Sequence, residues 1–570
     1  MSKIDKSKPV NHPILSIISS HNDLENLGDY VDHAVQNEPR RQLPDTMTEF
    51  YRDYVNFLVA RHIGRRRDSD VASRHFCWDV DDMLAKLARL AFVNLVRGTT
   101  ITESLVRRTV PLLATSPPPG RDNAVGFEFR VFNFLRSGFN DVTGCRPTEA
   151  TLRFAEPAVQ EYLTALYHKN QLSETIAAGS QKPVTAEMRE SMRKLPLTGD
   201  VWRIAFGLMG ADSANRPSMR TVLRELLKET KKVKEMPVHS VTALCVEAVY
   251  EAGNHGNLTA MLDDLARNQT LNYAEIVVGP ERIRYAVGAI GFMVHACRSI
   301  YGINMSRFGV NHESVGLLAV PVNAISDVSV QVLNLSFNVL GSDGMCSLQR
   351  LLAKASQLTH LDLNGCQIGG HGLRIFSGFL MCAQLVYLRL SDNDIKDGGV
   401  EEFAKNLVFV PTLEWLDLSQ NALTDRSAIA FAAASPCLKN LRSLALRRNY
   451  IGDAGAGAIT RALVDLIRLT HLMLDENEIG DWGASSLADH IRRTPSLRYV
   501  NLNINRIPVA GVAGLRRAAA SNGQLCLSAD KQKSETIVGA AVGAPLADVE
   551  EFRWIEWMTT RMQRLAKTPS

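Results

Sequence analysis

The 570-residue chain has no C-x-x-C pair anywhere, and its nine cysteines (Cys77, Cys145, Cys245, Cys297, Cys346, Cys366, Cys382, Cys437, Cys526) are scattered and odd in number. Zinc-ligand spacing and a disulfide framework are both excluded, which points to a reducing, cytoplasmic setting. Long apolar runs are also scarce. The best one, Ala286 to Cys297, is about twelve residues where a membrane span needs about twenty, so no membrane span is expected. The opening MSKIDKSKPVNHPILSIISS lacks the uninterrupted apolar block of a secretory signal. An excess of one charge is missing too: 64 Lys+Arg stand against 60 Asp+Glu, a net charge of +4. That is too little to mark a general nucleic-acid or membrane binder, so partners must be argued locally.

Catalytic motifs are equally short. No G-x-x-x-x-G-K-[ST] loop is present to cradle phosphates, and no G-x-S-x-G elbow. GDAGAGAI (452–459) is not a dinucleotide loop, and NHESVG supplies His312 and Glu313 without the second His of a metalloprotease. His62, His75 and Cys77 come with no placed orienting group for a thiol site. The run Arg65, Arg66, Arg67 is read as a solvated loop. No cofactor, metal or catalytic residue is therefore expected, and the chain is read as a non-enzyme.

What is present is periodicity. The length suggests three or four domains, and from Val330 onward the pattern L-x-x-L-x-L-x-x-N/C-x-L recurs seven times. Its Asn/Cys position falls at Asn338, Cys366, Asn393, Asn421, Asn449, Asn477 and Asn505, in steps of 27 or 28 residues. Six copies then carry a glycine (Gly344, Gly372, Gly399, Gly455, Gly483, Gly511), with Ser427 the exception. A degenerate eighth copy is legible in Ile300, Ile303, Met305, Phe308 and Val310. A short strand that buries its leucines, an Asn that satisfies backbone groups at the bend and a returning helix would stack into one continuous core. The pattern resembles leucine-rich repeats of the ribonuclease-inhibitor type, which implies a horseshoe with parallel inner strands and outer helices.

Side chains alternate along a strand, so the residues flanking each inward Leu face the concave surface. One column reads Val332, His360, Tyr387, Trp415, Ser443, His471 and Tyr499; five of the seven are aromatic or imidazole. The next contains Asp362, Arg389 and Asp417, roughly 5 Å apart in neighbouring strands and close enough for a charge ladder. Arg447 and Asp475 follow just after the leucine pair. Exposed aromatics beside Arg and Asp are the composition of an interaction hot spot. His360, Tyr387, Arg389, Trp415, Asp417, Arg447, His471 and Tyr499 are the candidate partner-binding residues, and a protein ligand is the expected partner.

Residues 1–330 read as helices and loops. Leu43 to His62 opens on a Pro-Asp-Thr capping signal. Leu152 to His168 places Val159, Tyr162, Leu163 and Leu166 on one helix face. Taken in order, four motifs resemble the region that follows the nucleotide-binding domain of NOD-like receptors of the NACHT class. They are carried by Leu43, Pro44, Thr46, Thr48, Glu49 and Tyr51; by Phe154, Gln160, Glu161, Leu163 and Ala165; by Trp202, Gly207 and Leu208; and by Cys245, Tyr250, Glu251, Ala252 and Asn254. The resemblance implies a remnant of a first helical domain (1–70), a winged-helix-like domain (71–155) and a second helical domain (156–265). Degenerate transition repeats (266–329), leucine-rich repeats (330–528), and a linker with a C-terminal helix (529–570) complete the chain. It departs from the family in two ways: the phosphate loop is missing, and Glu156 stands where the family has a phosphate-sensing His. The resemblance thus begins midway through a longer architecture, as expected of a receptor that lost its switch or of one part of a longer product.

In the tail, Asp548 and Glu551 start a helix with Val549, Phe552, Ile555, Met562 and Leu565 on an uneven apolar stripe and Trp554 and Trp557 off its centre. It would either cap the last repeat or dock a partner. The mixed α/β chain is read as a sensor or scaffold, with innate immune signalling and oligomerisation with related receptors as what the resemblance implies. The alternative is a GTPase-activating protein of the Ran type, which shares the repeat subtype. A nuclease-inhibitor clamp is disfavoured because residues 330–528 hold 19 Lys+Arg and 17 Asp+Glu, with no acidic excess.

Overall fold

The computed structural model describes residues 46–67, 80–109, 135–138, 151–154, 157–195, 197–230, 232–233, 238–253, 270–273, 280–296, 300–319, 329–382, 384–522, 524–529 and 532. They fall into two compact units, Met1–Asp264 with Ile276–Cys297, and Leu265–Glu275 with Arg298–Ser570. The motif residues Leu43, Pro44 and Asn254, together with Glu156, His75, Cys77 and the proposed terminal helix, lie outside the described residues.

The first unit contains α1 (Met47–Arg67), α2 (Val80–Arg97), β1 (Ile101–Thr102), α3 (Glu103–Thr109), β2 (Leu135–Gly138), β3 (Thr151–Phe154) and α4 (Pro157–Ala177). It continues through α5 (Ala186–Arg193), α6 (Gly199–Ala211), α7 (Arg216–Thr230), α8 (Val238–Glu251) and α9 (Pro280–Ala296). The three strands form a small antiparallel sheet with β3 in the middle. The basic run Arg65–Arg67 closes α1 instead of forming the expected loop. Helix α6 is apolar apart from Asp200 and Arg203, with Val201, Trp202, Ile204, Ala205, Phe206 and Met209 fully buried. A helix of that kind belongs at the centre of a helical core, and α1, α4, α7 and α8 pack around it.

Residues that carry the sequence motifs of this unit meet at one joint. Glu251, buried at the end of α8, accepts hydrogen bonds from the Met47 and Thr48 backbone N–H groups at 2.9 Å each, from Thr48 Oγ1 at 2.6 Å and from Tyr285 Oη. A carboxylate at the amino end of α1 satisfies donors that have no partner within the helix. Burial still pushes its carboxyl up against these hydrogen bonds. Nearby, Arg203 and Arg282 both pair with Asp200 and Glu247. Burial opposes ionisation of Asp200, yet the two guanidinium groups hold it well below the usual carboxylate range. Glu161 is pushed up to about 8 by burial, with the Asp200 charge acting in the same direction.

His168 of α4 is fully buried, stacked on Trp202 at 4.9 Å between ring centroids, and neither of its nitrogens has a hydrogen-bond partner among the described residues. Burial lowers its pKa from 6.5 to about 3. Between these values the unfolded chain takes up a proton that the folded chain refuses. The stability contributed here is therefore complete above pH 6.5 and is lost as pH falls towards 3, at up to about 1.4 kcal/mol per pH unit. His168→Phe is expected to remove that loss. In urea unfolding at a series of pH values, the gap between variant and wild type should widen steadily from pH 7 to pH 4; a constant gap would refute the assignment.

The second unit is a solenoid. Strands β4 (Thr270–Asn272), β5 (Gly302–Asn304), β6 (Val332–Asn334), β7 (His360–Asp362), β8 (Tyr387–Arg389), β9 (Trp415–Asp417), β10 (Ser443–Ala445), β11 (His471–Met473), β12 (Tyr499–Asn501) and β13 (Cys526–Ser528) form one sheet in that order. Every pairing is parallel. The intervening helices are α10 (His312–Val315), α11 (Gly341–Leu352), α12 (Gly369–Ser377), α13 (Lys396–Asn406), α14 (Asp425–Ala434), α15 (Asp453–Ala462), α16 (Asp481–Ile491) and α17 (Val509–Ser521). The middle residue of each strand points into the core: Leu361, Leu388, Leu416, Leu444 and Leu472 are all 0% exposed. The expected eighth copy is there as β5, with Ile300, Ile303, Met305, Phe308 and Val310 buried. The sheet also runs one strand further at each end than the repeat pattern shows. The stretch 266–329, expected to hold transition repeats only, is divided: β4 and β5 belong to the solenoid and α9 to the helical unit.

A ladder of buried amides holds the repeats in register. Asn421 Nδ2 donates to the Leu390 carbonyl of the preceding repeat (2.8 Å) and to the Leu418 and Ser419 carbonyls of its own. Its Oδ1 accepts from the Asn393 and Ile395 backbone N–H groups at 2.9 and 3.4 Å. Asn338, Asn393, Asn449, Asn477 and Asn505 bond their neighbours in the same manner. At the one cysteine rung, Cys366 Sγ donates to the Leu335 carbonyl at 3.1 Å, and burial pushes its thiol up to about 12. The residue just before most rungs adopts a left-handed conformation, and at Ile504 (φ 57°) this falls on a β-branched side chain. Such a conformation costs an L residue roughly 1–2 kcal/mol. Ile504→Asn should therefore raise stability by about 1 kcal/mol in chemical denaturation, and no gain would show that the strain is relieved elsewhere.

The glycine that follows each rung has a steric cause. Asp425 Oδ1 accepts from the backbone N–H groups of Gly452 and Gly455 at 2.8 Å each, and Asp453 Oδ1 from those of Gly480 and Gly483 at 2.7 and 2.9 Å. One repeat's aspartate thus caps the next repeat's helix. A Cβ at Gly455 would lie 2.5 Å from Asp425 Oδ1. The exception, Ser427, contributes its hydroxyl to the same arrangement by donating to Asp397 Oδ1 at 2.5 Å.

Candidate functional site

Register places the candidate residues side by side on the sheet. His360, Tyr387, Trp415, Ser443, His471 and Tyr499 are direct partners across successive strands, and so are Asp362, Arg389 and Asp417 two residues on. The rings stack: His360 on Tyr387 at 5.8 Å and 19°, Tyr387 on Trp415 at 5.6 Å and 28°. His471 and Tyr499 form a second, tilted pair at 6.1 Å. Ser443, fully covered, separates the two groups. Contrary to the expectation of a uniformly exposed column, His360 and Tyr387 are buried, at 6% and 5% exposure. Trp415, His471 and Tyr499 are half-buried and offer the accessible ring surface.

The charged column forms the ladder its spacing predicts. Arg389 lies between two acids, Nη1 to Asp362 Oδ2 at 3.4 Å and Nε to Asp417 Oδ2 at 3.5 Å. Arg447 Nε meets both carboxylate oxygens of Asp475 at 3.1 and 3.0 Å. Burial nevertheless raises the Asp475 pKa in spite of Arg447. The two strand aspartates have a structural task as well, because Asp362 Oδ1 accepts from the Asn364 backbone N–H and Asp417 Oδ1 from that of Ser419. Asn334 and Asn501 do the same in their own repeats. The column therefore both turns the chain and carries charge, and a charged pair held this way presents fixed hydrogen-bonding edges to anything that enters the concavity.

The family description "Leucine Rich repeat" matches residues 327–348, 355–374, 382–404, 411–432, 437–459 and 468–488. The solenoid is built of leucine-rich repeats. No curated protein matches the chain. Among solved structures, a plant peptide hormone receptor, RGFR1 in complex with RGF2, is 18% identical over 42% of this chain and 37% of its own, with a TM-score of 0.25. The Listeria monocytogenes internalin InlF is 15% identical over 53% of this chain and 94% of its own, TM-score 0.27. The TLR13–ssRNA13 complex is 15% identical over 39% of this chain and 34% of its own, TM-score 0.23. The chain thus spans about a third of the length of the two receptors.

The leucine-rich repeats contain functional geometry that sequence reading passes over. Gln532 ends the amide ladder: its Oε1 accepts from the Asn505 and Ile507 backbone N–H groups, and its Nε2 donates to the Leu502 and Ala529 carbonyls. It stands 27 residues after Asn505, the spacing of a further rung, although residues 529–570 are expected to be a linker and helix. The 27-residue step was the available signal, hidden by Gln in place of Asn. Among the described residues no helix is long and apolar enough to cross a membrane.

Proposed function

We propose that this leucine-rich-repeat protein is a non-enzymatic sensor or scaffold of NOD-like-receptor type, and that a protein ligand binds the concave face of its repeats. The observation that supports the reading is the stacked row His360–Tyr387–Trp415 running alongside the Asp362–Arg389–Asp417 ladder on one sheet face. Trp415, the accessible end of that row, is a rigid aromatic surface held in place by its stacked neighbours beside fixed charges, which is what a central hot spot requires. His471, Tyr499 and Arg447 extend the surface toward the carboxyl end. In the helical unit, the meeting of Thr48 with Glu251, and of Gly207 with Thr48, supports a common design for the motifs that carry the receptor resemblance. A role in innate immune signalling, through assembly with related receptors, follows from that resemblance.

The ion pairs of Arg389 and Arg447 weigh against the GTPase-activating alternative, because an arginine committed to carboxylates is not poised to enter a nucleotide site. Cross-linking mass spectrometry on complexes isolated with the tagged full chain tests the proposal. Cross-links from the partner should concentrate on the strand-bearing side of residues 332–501. Cross-links confined to the helices α11–α17 or to the helical unit would reject it.

A further inference from the structure

The chain's near-neutral charge conceals a local asymmetry on one edge of the solenoid, where each helix ends and turns into the next strand. The segments 434–442, 462–470 and 490–498 are equivalent in successive repeats and hold six Lys/Arg against one acid, Asp465. Asp465 itself accepts a hydrogen bond from Ser435 Oγ at 2.8 Å. The turns stand side by side: Asn440 Nδ2 donates to the Pro411 carbonyl at 2.8 Å, and Arg468 Nη1 to Asn440 Oδ1 at 2.9 Å. Arg468, Arg492, Arg493 and Arg498 are exposed, and Arg492 and Arg493 make no ion pair among the described residues. Arg442 pairs with Glu414 of the preceding turn.

Large apolar side chains project from the same edge. Val464 is 71% exposed and Ile467 62%, and about two repeat periods before them Val408 and Phe409 are 50% and 43% exposed. Val464 and Ile467 lie in the turn that follows α15, and Val408 and Phe409 in the turn that follows α13. The aliphatic tips nearest the arginines offer no face on which nucleobases could stack, which a nucleic-acid surface needs. Nor do they form the continuous, charge-depleted patch of a protein interface core. Isolated apolar tips that can enter an acyl layer, ringed by cations at headgroup height, fit an anionic bilayer surface. We propose that this helix-exit edge is a peripheral docking edge for anionic lipid membranes, with Val464 and Ile467 inserting and Arg468, Arg492 and Arg493 contacting lipid phosphates. The edge runs up to the first residue of each strand, but Val464, Ile467, Arg468, Arg492 and Arg493 are not members of the concave rows, so the two surfaces are testable separately.

Co-sedimentation of the full chain with vesicles decides it. Binding to phosphatidylcholine vesicles containing phosphatidylserine should exceed binding to phosphatidylcholine alone by about tenfold or more. It should fall by about tenfold in V464S/I467S and in R468E/R492E/R493E, each with an unchanged melting curve. All five positions are exposed, so the variants should fold, and two independent variants guard against one that does not. Equal binding to both vesicle types would overturn the proposal, as would mixed-vesicle binding that survives both variants. So would binding of single-stranded polyuridylate that the arginine variant abolishes and the aliphatic variant leaves intact, if vesicle binding shows the same insensitivity to V464S/I467S.

Discussion

Asn421→Ala should lower the stability of the repeat array by about 3–5 kcal/mol, far more than truncating one polar side chain costs at a surface. The loss comes from what is left behind. Two backbone N–H groups, of Asn393 and Ile395, and the carbonyls of Leu390, Leu418 and Ser419 all bond to this amide, which is 1% exposed. Water cannot replace it without opening the stack. Because each repeat contacts only its neighbours, a broken central rung should divide the array. Urea unfolding would then show a shallower or split transition, whereas a loss below about 1 kcal/mol would mean that leucine packing alone sets the register.

Gly207→Ala should be comparably damaging in the helical unit, for a steric reason. A Cβ there would lie 2.0 Å from Thr48 Oγ1 and 2.6 Å from Thr48 Cβ. Thr48 cannot retreat, because its backbone N–H and hydroxyl are both bound to Glu251. Overpacking of a tight core costs about 1–3 kcal/mol, and losing a buried carboxylate contact adds to it. Gly288→Ala is the matched control: its Cβ would meet only Tyr250 Oη, at 3.9 Å, and Ala is favoured over Gly within a helix such as α9. Thermal melting followed by circular dichroism should separate the two variants by several degrees in opposite directions from wild type. Coincident midpoints would show that α1 and α6 are free to separate.

The repeats were legible in the sequence because their physics is periodic: the leucines, the Asn rung and the following glycine each recur with the 27- or 28-residue step. Legibility fails where one element of the pattern is substituted while the backbone geometry persists. At β13 a single leucine, Leu527, and a Gln rung suffice, since Gln532 carries the same donor and acceptor as Asn. At β4, among the described residues, Leu271 and the following Tyr273 fill the core. The concave columns follow from alternation, but exposure does not: stacking covers His360 and Tyr387 and leaves Trp415 as the open end of the row. The dual task of Asp362 and Asp417 was equally hidden, because turning the chain and carrying charge use the same residue type. In the helical unit, motif letters gave an order of segments, and only packing shows why Gly207 must be small and Glu251 acidic.

The central claim is that the concave face chooses the partner, and titration calorimetry with the isolated ligand tests it most directly. Trp415→Ala removes the open end of the aromatic row, and Trp482→Ala removes an indole that is 63% exposed on α16. The account predicts that the first weakens binding by about tenfold or more while the second leaves it unchanged. Unaltered affinity in Trp415→Ala, with loss in Trp482→Ala, would place the ligand on the helical side and contradict the account.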